Sequence, residues 1–394
     1  MKFVPLKSRL ERALAEESRE FRRLALAIHA NPEISFKEFK TAELLTSYLL
    51  QKGFEIEKGV GGLKTSFRAA SARTGEKPSI GFLAELDALS GLGHACGHNL
   101  IAVSSTVAAV ILRKAFPRLK GSIEVIGCPA EERGGGKIFL DNSGVFDHLD
   151  FAMLVHPSDR TEIYKLSLAL IEINMEFIGK SSHAAAYPEK GINALDAAIQ
   201  TFNAVNALRS RLTGFARVNG IITEGGKAPN IIPDCAKVEF WVRDDSLKKA
   251  GELADLVAKA GRASAKAIGA KAKITVSRKL AYAPFLPNRA AGKILWQIFE
   301  KLGLKIEQGD EKAEMGSTDM GNLSWKVPVL HPALAISRSP VHGIDFAKAA
   351  VSGKAIKRME KAALAMSILG YRVMTEPELR REMKSELVRN RKGK

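Results

Sequence analysis

Cysteine is scarce in this chain, with only Cys96, Cys128 and Cys235 among 394 residues. Three thiols do not make a disulfide framework, which excludes the small disulfide-stapled secreted class. Aromatic residues reach only 7%, and neither an RNA-binding aromatic motif nor zinc-finger spacing is present. No apolar run approaches the roughly 20 residues of a membrane-spanning helix. The stretch Met1 to Glu20 carries charges throughout and lacks the apolar centre of a signal peptide. A cytoplasmic protein is expected, with neither nucleic acid nor membrane as partner. The net charge of +17 reads as a solvated basic surface, because Lys and Arg are spread along the chain. Their one concentration, Arg380 to Lys394, reads as the frayed end of a last helix.

What the chain does contain is a globular composition, 46% hydrophobic. Its length exceeds one ordinary core, so two domains are expected. Three short apolar runs, Ile80 to Leu86, Ile123 to Ala130 and Phe151 to Val155, each end in polar or glycine-rich sequence. Strands of a parallel sheet buried on both faces read this way. Ligands of open α/β sheets bind outside the carboxyl ends of such strands. Helices are expected over residues 8–30, Phe39 to Lys52 and Ile101 to Ala115, and strands at Phe54 to Ile56 and Thr65 to Ala69.

From Leu166 the pattern changes to strand, helix, two strands, helix, strand, ending near Ser277. That order is the split βαβ unit. It reads as a domain over residues 166–278 inserted into a first domain of residues 1–165 and 279–394. In the last part, a helix near Ala290 to Leu302, a loop at Gly316 to Asn322 and a long helix at Gly353 to Val373 are expected. The fold class is therefore α/β, with a mixed, largely parallel sheet and a ferredoxin-like insert.

The strand ends carry the chemistry. His94-Ala95-Cys96-Gly97-His98-Asn99 follows the first run, Glu131-Glu132 the second, and His156 closes the third. Cys, His and Glu are metal-ligand types, and a paired Glu can divide its work between a metal and a water. A Cys96–His nucleophilic pair is the chemical rival, although it leaves Glu131-Glu132 and His156 without a role. One C-terminal histidine should complete a second metal, with His342 preferred over His331. His29, His94 and His148 read as structural or peripheral. Gly134-Gly135-Gly136 lacks phosphate-loop spacing and reads as flexible backbone beside the site. His183 follows the first strand of the insert, where close packing or a helix cap is as good a reading as a catalytic role.

With these segments placed, the chain resembles the metallopeptidase family of aminoacylase, carboxypeptidase G and the amino-acid-conjugate amidohydrolases. The likeness is nearest to the subgroup of aminobenzoyl-glutamate hydrolase and the β-alanyl-lysine-type dipeptidase. It rests on Glu85-Leu86-Asp87-Ala88-Leu89, His94 to Asn99, Pro129-Ala130-Glu131-Glu132, His156-Pro157, Ser182-His183-Ala184-Ala185, Pro229-Asn230-Ile231-Ile232-Pro233 and Gly316-Ser317-Thr318-Asp319. Many relatives place Asp at the position of Glu85, and related amidohydrolases usually place Asp at that of Asn99.

The resemblance implies a zinc-peptidase-like catalytic domain whose insert is a dimerisation domain. It implies two metal ions held by Cys96, His98, Glu132, His156 and His342, with Glu85 and Asp87 behind them. Glu131 would be the general base, and His183 would reach the active site of the partner subunit. Asn230 and Arg243 would grip the carbonyl and carboxylate of the substrate. Zinc suits this donor set, with manganese or cobalt as alternatives. The expectation is a homodimeric amide hydrolase acting on dipeptides or N-acyl and aryl amino acids with a free carboxylate. A thiol-dependent hydrolase using Cys96 and a non-catalytic carboxylate-binding relative are the alternatives.

Overall fold

The computed structural model describes residues 1–307 and 315–392. The chain divides into two compact units, one of Met1–Leu166 with Phe285–Lys394 and one of Ser167–Pro284.

In order, the first unit opens with α1 (Phe3–Ala30), α2 (Phe39–Gln51), β1 (Glu55–Lys58), β2 (Phe67–Ala70) and β3 (Ser79–Glu85). It continues with α3 (His98–Ala115), β4 (Ser122–Cys128), α4 (Gly136–Asn142), β5 (Phe151–Met153) and β6 (His156–Ser158). The second unit holds β7 (Ala169–Ile178), α5 (Ala194–Arg209), β8 (Arg217–Glu224), β9 (Cys235–Asp244), α6 (Leu247–Ile268) and β10 (Lys271–Val276). The chain then returns to the first unit through α7 (Arg289–Lys301), α8 (Met320–Ser324), β11 (Val329–Leu330), β12 (Ala333–Ala335), α9 (Ile344–Ala349), α10 (Gly353–Thr375) and α11 (Pro377–Lys392).

The main sheet runs β1-β2-β4-β3-β5-β11. β4, β3, β5 and β11 are parallel, while β1 and β2 add an antiparallel edge. Every residue of β3 and β4 is buried, as a sheet covered on both faces requires. The helix α3 packs against α1, α10 and β3. It is apolar nearly all round and is buried along almost its whole length. It starts at His98, three residues before the expected Ile101, because Gly97 takes the left-handed conformation (φ 79°) as its N-cap. That start puts His98 in the first turn, directly beyond the end of β3.

The second unit is an antiparallel sheet of order β10-β7-β9-β8. Ile171, Ile173, Met175 and Phe177 of β7 and Ala236, Val238, Phe240 and Val242 of β9 alternate inward and share one core with apolar residues of α5 and α6. Period-two burial under two amphipathic helices is what the alternation of these segments demands.

Three expectations are corrected. The run Phe151 to Val155 is split: β5 stays in the main sheet, while His156 begins β6, which pairs in parallel with β12. The change follows the neighbouring strand, since the His156 N–H donates to the Pro332 carbonyl at 2.8 Å. The Gly316 to Asn322 loop ends in the short helix α8 rather than running through. The basic tail is not a frayed end of α10. It is the separate helix α11, which buries Leu379, Met383 and Leu387.

The tail helix also closes the N-terminus of α7. Glu386 accepts the Arg289 and Ala290 N–H groups at 2.7 and 2.9 Å, and Asn288 caps the same turn through Ala291. Two otherwise open amide donors and a helix dipole are met by one carboxylate. Glu386→Ala should therefore lower stability by about 1–2 kcal/mol in denaturant unfolding. A change below about 0.5 kcal/mol, usual for a surface substitution, would show that α11 docks without supporting α7.

Candidate metal centre and substrate-binding residues

The strand ends of the first unit converge on Asp87, which is buried beyond the end of β3. Its two carboxylate oxygens accept the N–H groups of Glu131 and Glu132 at 3.1 and 3.0 Å. Ser35 Oγ adds a third bond at 3.3 Å. The turn after β4 is thus tied to the turn after β3. A second brace comes from buried Glu38, whose carboxylate accepts the N–H of Ala130 at 2.9 Å and of Phe36 at 2.8 Å. Ala130 sits at φ 58°, a conformation a non-glycine residue keeps only when its surroundings hold it.

Two histidines present the same atom. His98 directs Nδ1 at the Asp87 carbonyl at 2.9 Å, and His156 directs Nδ1 at the Pro157 carbonyl at 2.6 Å. A carbonyl only accepts, so each Nδ1 carries hydrogen and each neutral ring offers a bare Nε2 lone pair. The Nε2 of His98 faces Glu85, Glu131 and Glu132 oxygens at 3.5, 3.9 and 3.7 Å. The Nε2 of His156 lies 3.4 Å from Cys96 Sγ. The Nε2 of His342 lies 3.6 Å from Glu132 Oε1. The loop bearing His342 is fixed by its own N–H, which donates to the Ala95 carbonyl at 2.8 Å.

Ligand atoms therefore gather in triads. Cys96, His98 and His156 form one, and Cys96, Glu132 and His342 another, each with all donor atoms within 4.8 Å of one another. Cys96 belongs to both. A third group joins His98, Glu131 and Glu132. Buried His98 Nε2 and Glu132 Oε1 have no hydrogen-bond partner among the described residues. With the rings neutral, bare Nε2 lone pairs and carboxylates turned on one another fit a site built for cations. His331 joins none of these groups among the described residues; its ring packs edge-on against His156, with centroids 5.4 Å apart.

The proton affinities follow from the same crowding. Burial, then the Glu132 carboxylate, pushes the Cys96 thiol well above its ordinary value. Burial opposes a charge on His98, yet Cys96 and then Asp87 hold its pKa well above the usual imidazole range. Burial, reinforced by His331, brings His156 down to about 3. Burial and then Glu85 raise the Glu131 carboxyl well above its ordinary value, against the pull of Lys137.

Sequence reasoning missed the buried Lys137, whose Nζ lies 2.7 Å from Glu85 and 2.6 Å from Asp319. The only signal was its place directly after the glycine run. That run is not flexible backbone. A Cβ on Gly136 would sit 1.8 Å from the Pro129 carbonyl oxygen, and one on Gly134, at φ 122°, 2.5 Å from the Phe36 ring. The glycines permit close packing.

His183, Asn230 and Arg243 lie in the second unit. His183 is exposed, and its Nδ1 accepts the N–H groups of Ala185 and Ala186 at 3.3 and 3.1 Å. The ring proton is thereby placed on Nε2. Asn230 is its neighbour, since Ala184 N–H donates to the Asn230 carbonyl at 3.0 Å and His183 bridges to Ile231. Arg243 sits near the far end of β9, its guanidinium 5.1 Å over the Trp241 ring.

Comparison with known proteins adds the relatives of this arrangement. A sequence profile of the M20-type peptidase dimerisation domain matches residues 169–268. The human Xaa-Arg dipeptidase is 34% identical over 398 residues, covering 95% of this chain and 90% of the relative. A subunit of the p-aminobenzoyl-glutamate hydrolase of Escherichia coli is 30% identical, covering 77% of this chain and 67% of its own. A Bacillus subtilis crystal structure, described as a dinuclear metal-binding peptidase from the M20 family, superposes with a TM-score of 0.65 at 19% identity, over 91% of this chain and 99% of that one.

The raised Cys96 thiol gives metal binding a definite pH dependence. At neutral pH burial keeps a proton on Cys96 that a metal ion held there would have to displace, so affinity should rise with pH. Each displaced proton contributes about tenfold per pH unit. Calorimetry of zinc binding to metal-free protein in buffers of different ionisation enthalpy should register net proton release. A heat independent of buffer would show that the donors are already deprotonated.

Proposed function

Because the chain belongs to the M20 peptidase family and is a hydrolase of C–N bonds, we propose that it is a two-metal amide hydrolase for dipeptides or N-acyl and aryl amino acids with a free carboxylate. The observation that carries this reading is the pair of triads sharing Cys96, with Glu131 beside them. Cys96, His98, Glu132, His156 and His342 would hold two divalent ions, zinc first and manganese or cobalt next. Bound there, the ions would acidify a water and polarise the scissile carbonyl.

The side chains do the rest. Glu131, beside the triads, takes the proton of the attacking water and delivers it to the leaving amine. His183 donates its Nε2–H to the developing oxyanion, a contribution of about 3 kcal/mol for one such donor. Asn230 positions the carbonyl, and Arg243 pairs with the substrate carboxylate. The rival thiol mechanism is disfavoured, because burial keeps Cys96 protonated when no cation is beside it.

The geometry of the second unit supports a site shared between two subunits of a homodimer. Asn230 and His183 lie beyond the Cys235 end of β9, whereas Arg243 lies eight residues along from Cys235. At ~3.3 Å per strand residue that is about 26 Å, too far for one copy to reach a single small substrate from both ends. The two ends would therefore serve different copies of the site, with His183 and its neighbour Asn230 reaching the partner's. The human relative is named for Xaa-Arg dipeptides, which places that class first in a substrate panel. Three free cysteines, one of them a proposed ligand, suit the reducing cytoplasm.

Two substitutions test the reading. Glu131→Ala should lose about 10²–10⁴-fold in turnover, the usual worth of a positioned base, while keeping both ions. Mixed with His183→Ala after subunit exchange, it should recover part of the activity through hybrid dimers, whereas His183→Ala mixed with Asn230→Ala should not. Near-normal turnover of Glu131→Ala, or no recovery in verified hybrids, contradicts the mechanism.

A further inference from the structure

The carboxylates behind the triads form a fourth group. Glu85, Glu131 and Asp319 place oxygens within 4.8 Å of one another, a spacing that would suit another cation. The position beside two of them is already taken. Lys137 is fully buried, and its Nζ lies 2.7 Å from Glu85 Oε1 and 2.6 Å from Asp319 Oδ1. Its own backbone N–H also donates to Asp319 Oδ2 at 2.8 Å. We propose that Lys137 is the resident cation of this cluster: its ammonium stands where a third metal ion would bind and fixes Glu85 and Asp319 beside Glu131.

Three features converge on this. Glu85, Lys137 and Asp319 have no exposed side-chain surface, so the two carboxylates depend on a partner inside the protein. Backbone and side chain of one residue hold both oxygens of Asp319, which leaves that carboxylate a single orientation. The tight glycine run before Lys137 lets the chain turn inward at the start of α4, with Gly135 as N-cap at φ 68°. A tethered ammonium has one further property that an ion lacks: it cannot be chelated away or exchanged. The cluster next to the base is thus kept out of the metal-binding equilibrium.

Two measurements decide the matter. In the first, protein equilibrated with excess manganese and desalted is assayed for bound metal. The native chain should hold two ions and Lys137→Ala three, the extra ion raising the melting temperature of the variant as manganese increases. In the second, Lys137→Met is compared with Lys137→Met/Asp319→Asn. Removing the opposing charge should restore several degrees of the melting temperature lost in the single variant. Equal ion counts in native and Lys137→Ala protein, or a double variant less stable than Lys137→Met, would overturn the proposal and leave Lys137 as packing. The two-metal reading enters only as the baseline count. A native chain that binds no ion sinks that reading, and the melting comparison then decides the role of Lys137 alone.

Discussion

The site depends on one buried carboxylate. Asp87 receives the amides of Glu131 and Glu132 and lies 3.3 Å from the Nδ1 of His98. Three segments that arrive from different parts of the chain are held in register by its two oxygens. Without it, the Glu131-Glu132 turn would lose the acceptors of two amides. The strand ends that carry the triads are themselves rigid, because β3 and β4 are buried on both faces. Asp87 transmits that rigidity to the side chains of the triads, as a site that held an ion within a few tenths of an ångström would require.

The consequence is a dense knot of negative charge inside a basic protein. Glu85, Asp87, Glu131, Glu132 and Asp319 are all at or near the same centre, and four of their neighbours are histidine or cysteine donors. Such a group is stable only with cations, and the fold supplies them in two ways. One is Lys137, built into the chain. The other is the pair of ions that the two triads sharing Cys96 would take. In the metal-free state burial keeps a proton on Cys96 instead. Metal binding there would therefore be an exchange of cations and not simply the filling of a gap.

The strand ends and the convergence of Cys, His and Glu side chains were legible in the amino-acid sequence, because a buried parallel sheet leaves uninterrupted apolar runs and these side chains sit just beyond them. The insert was legible for the same reason, through period-two strands alternating with amphipathic helices. Other features carry no local signal. Lys137 reads as one more lysine among 60 basic residues, and only tertiary packing turns it inward. The break at His156 is set by a bond to Pro332, far along the chain. The tail helix α11 looks like solvated charge, since only Leu379, Met383 and Leu387 mark its buried stripe. The choice of His342 over His331 also depends on tertiary geometry, here the tether to Ala95.

If two ions at the triads sharing Cys96 power hydrolysis, catalysis must follow their loading. The direct measurement is amino-acid release from a panel of dipeptides and N-acyl amino acids, begun with metal-free protein and continued while zinc, manganese or cobalt is added stepwise. Release should be absent at the start and rise to a plateau at two ions per chain. Sustained release by metal-free protein in the presence of a chelator would contradict a metal-driven reaction.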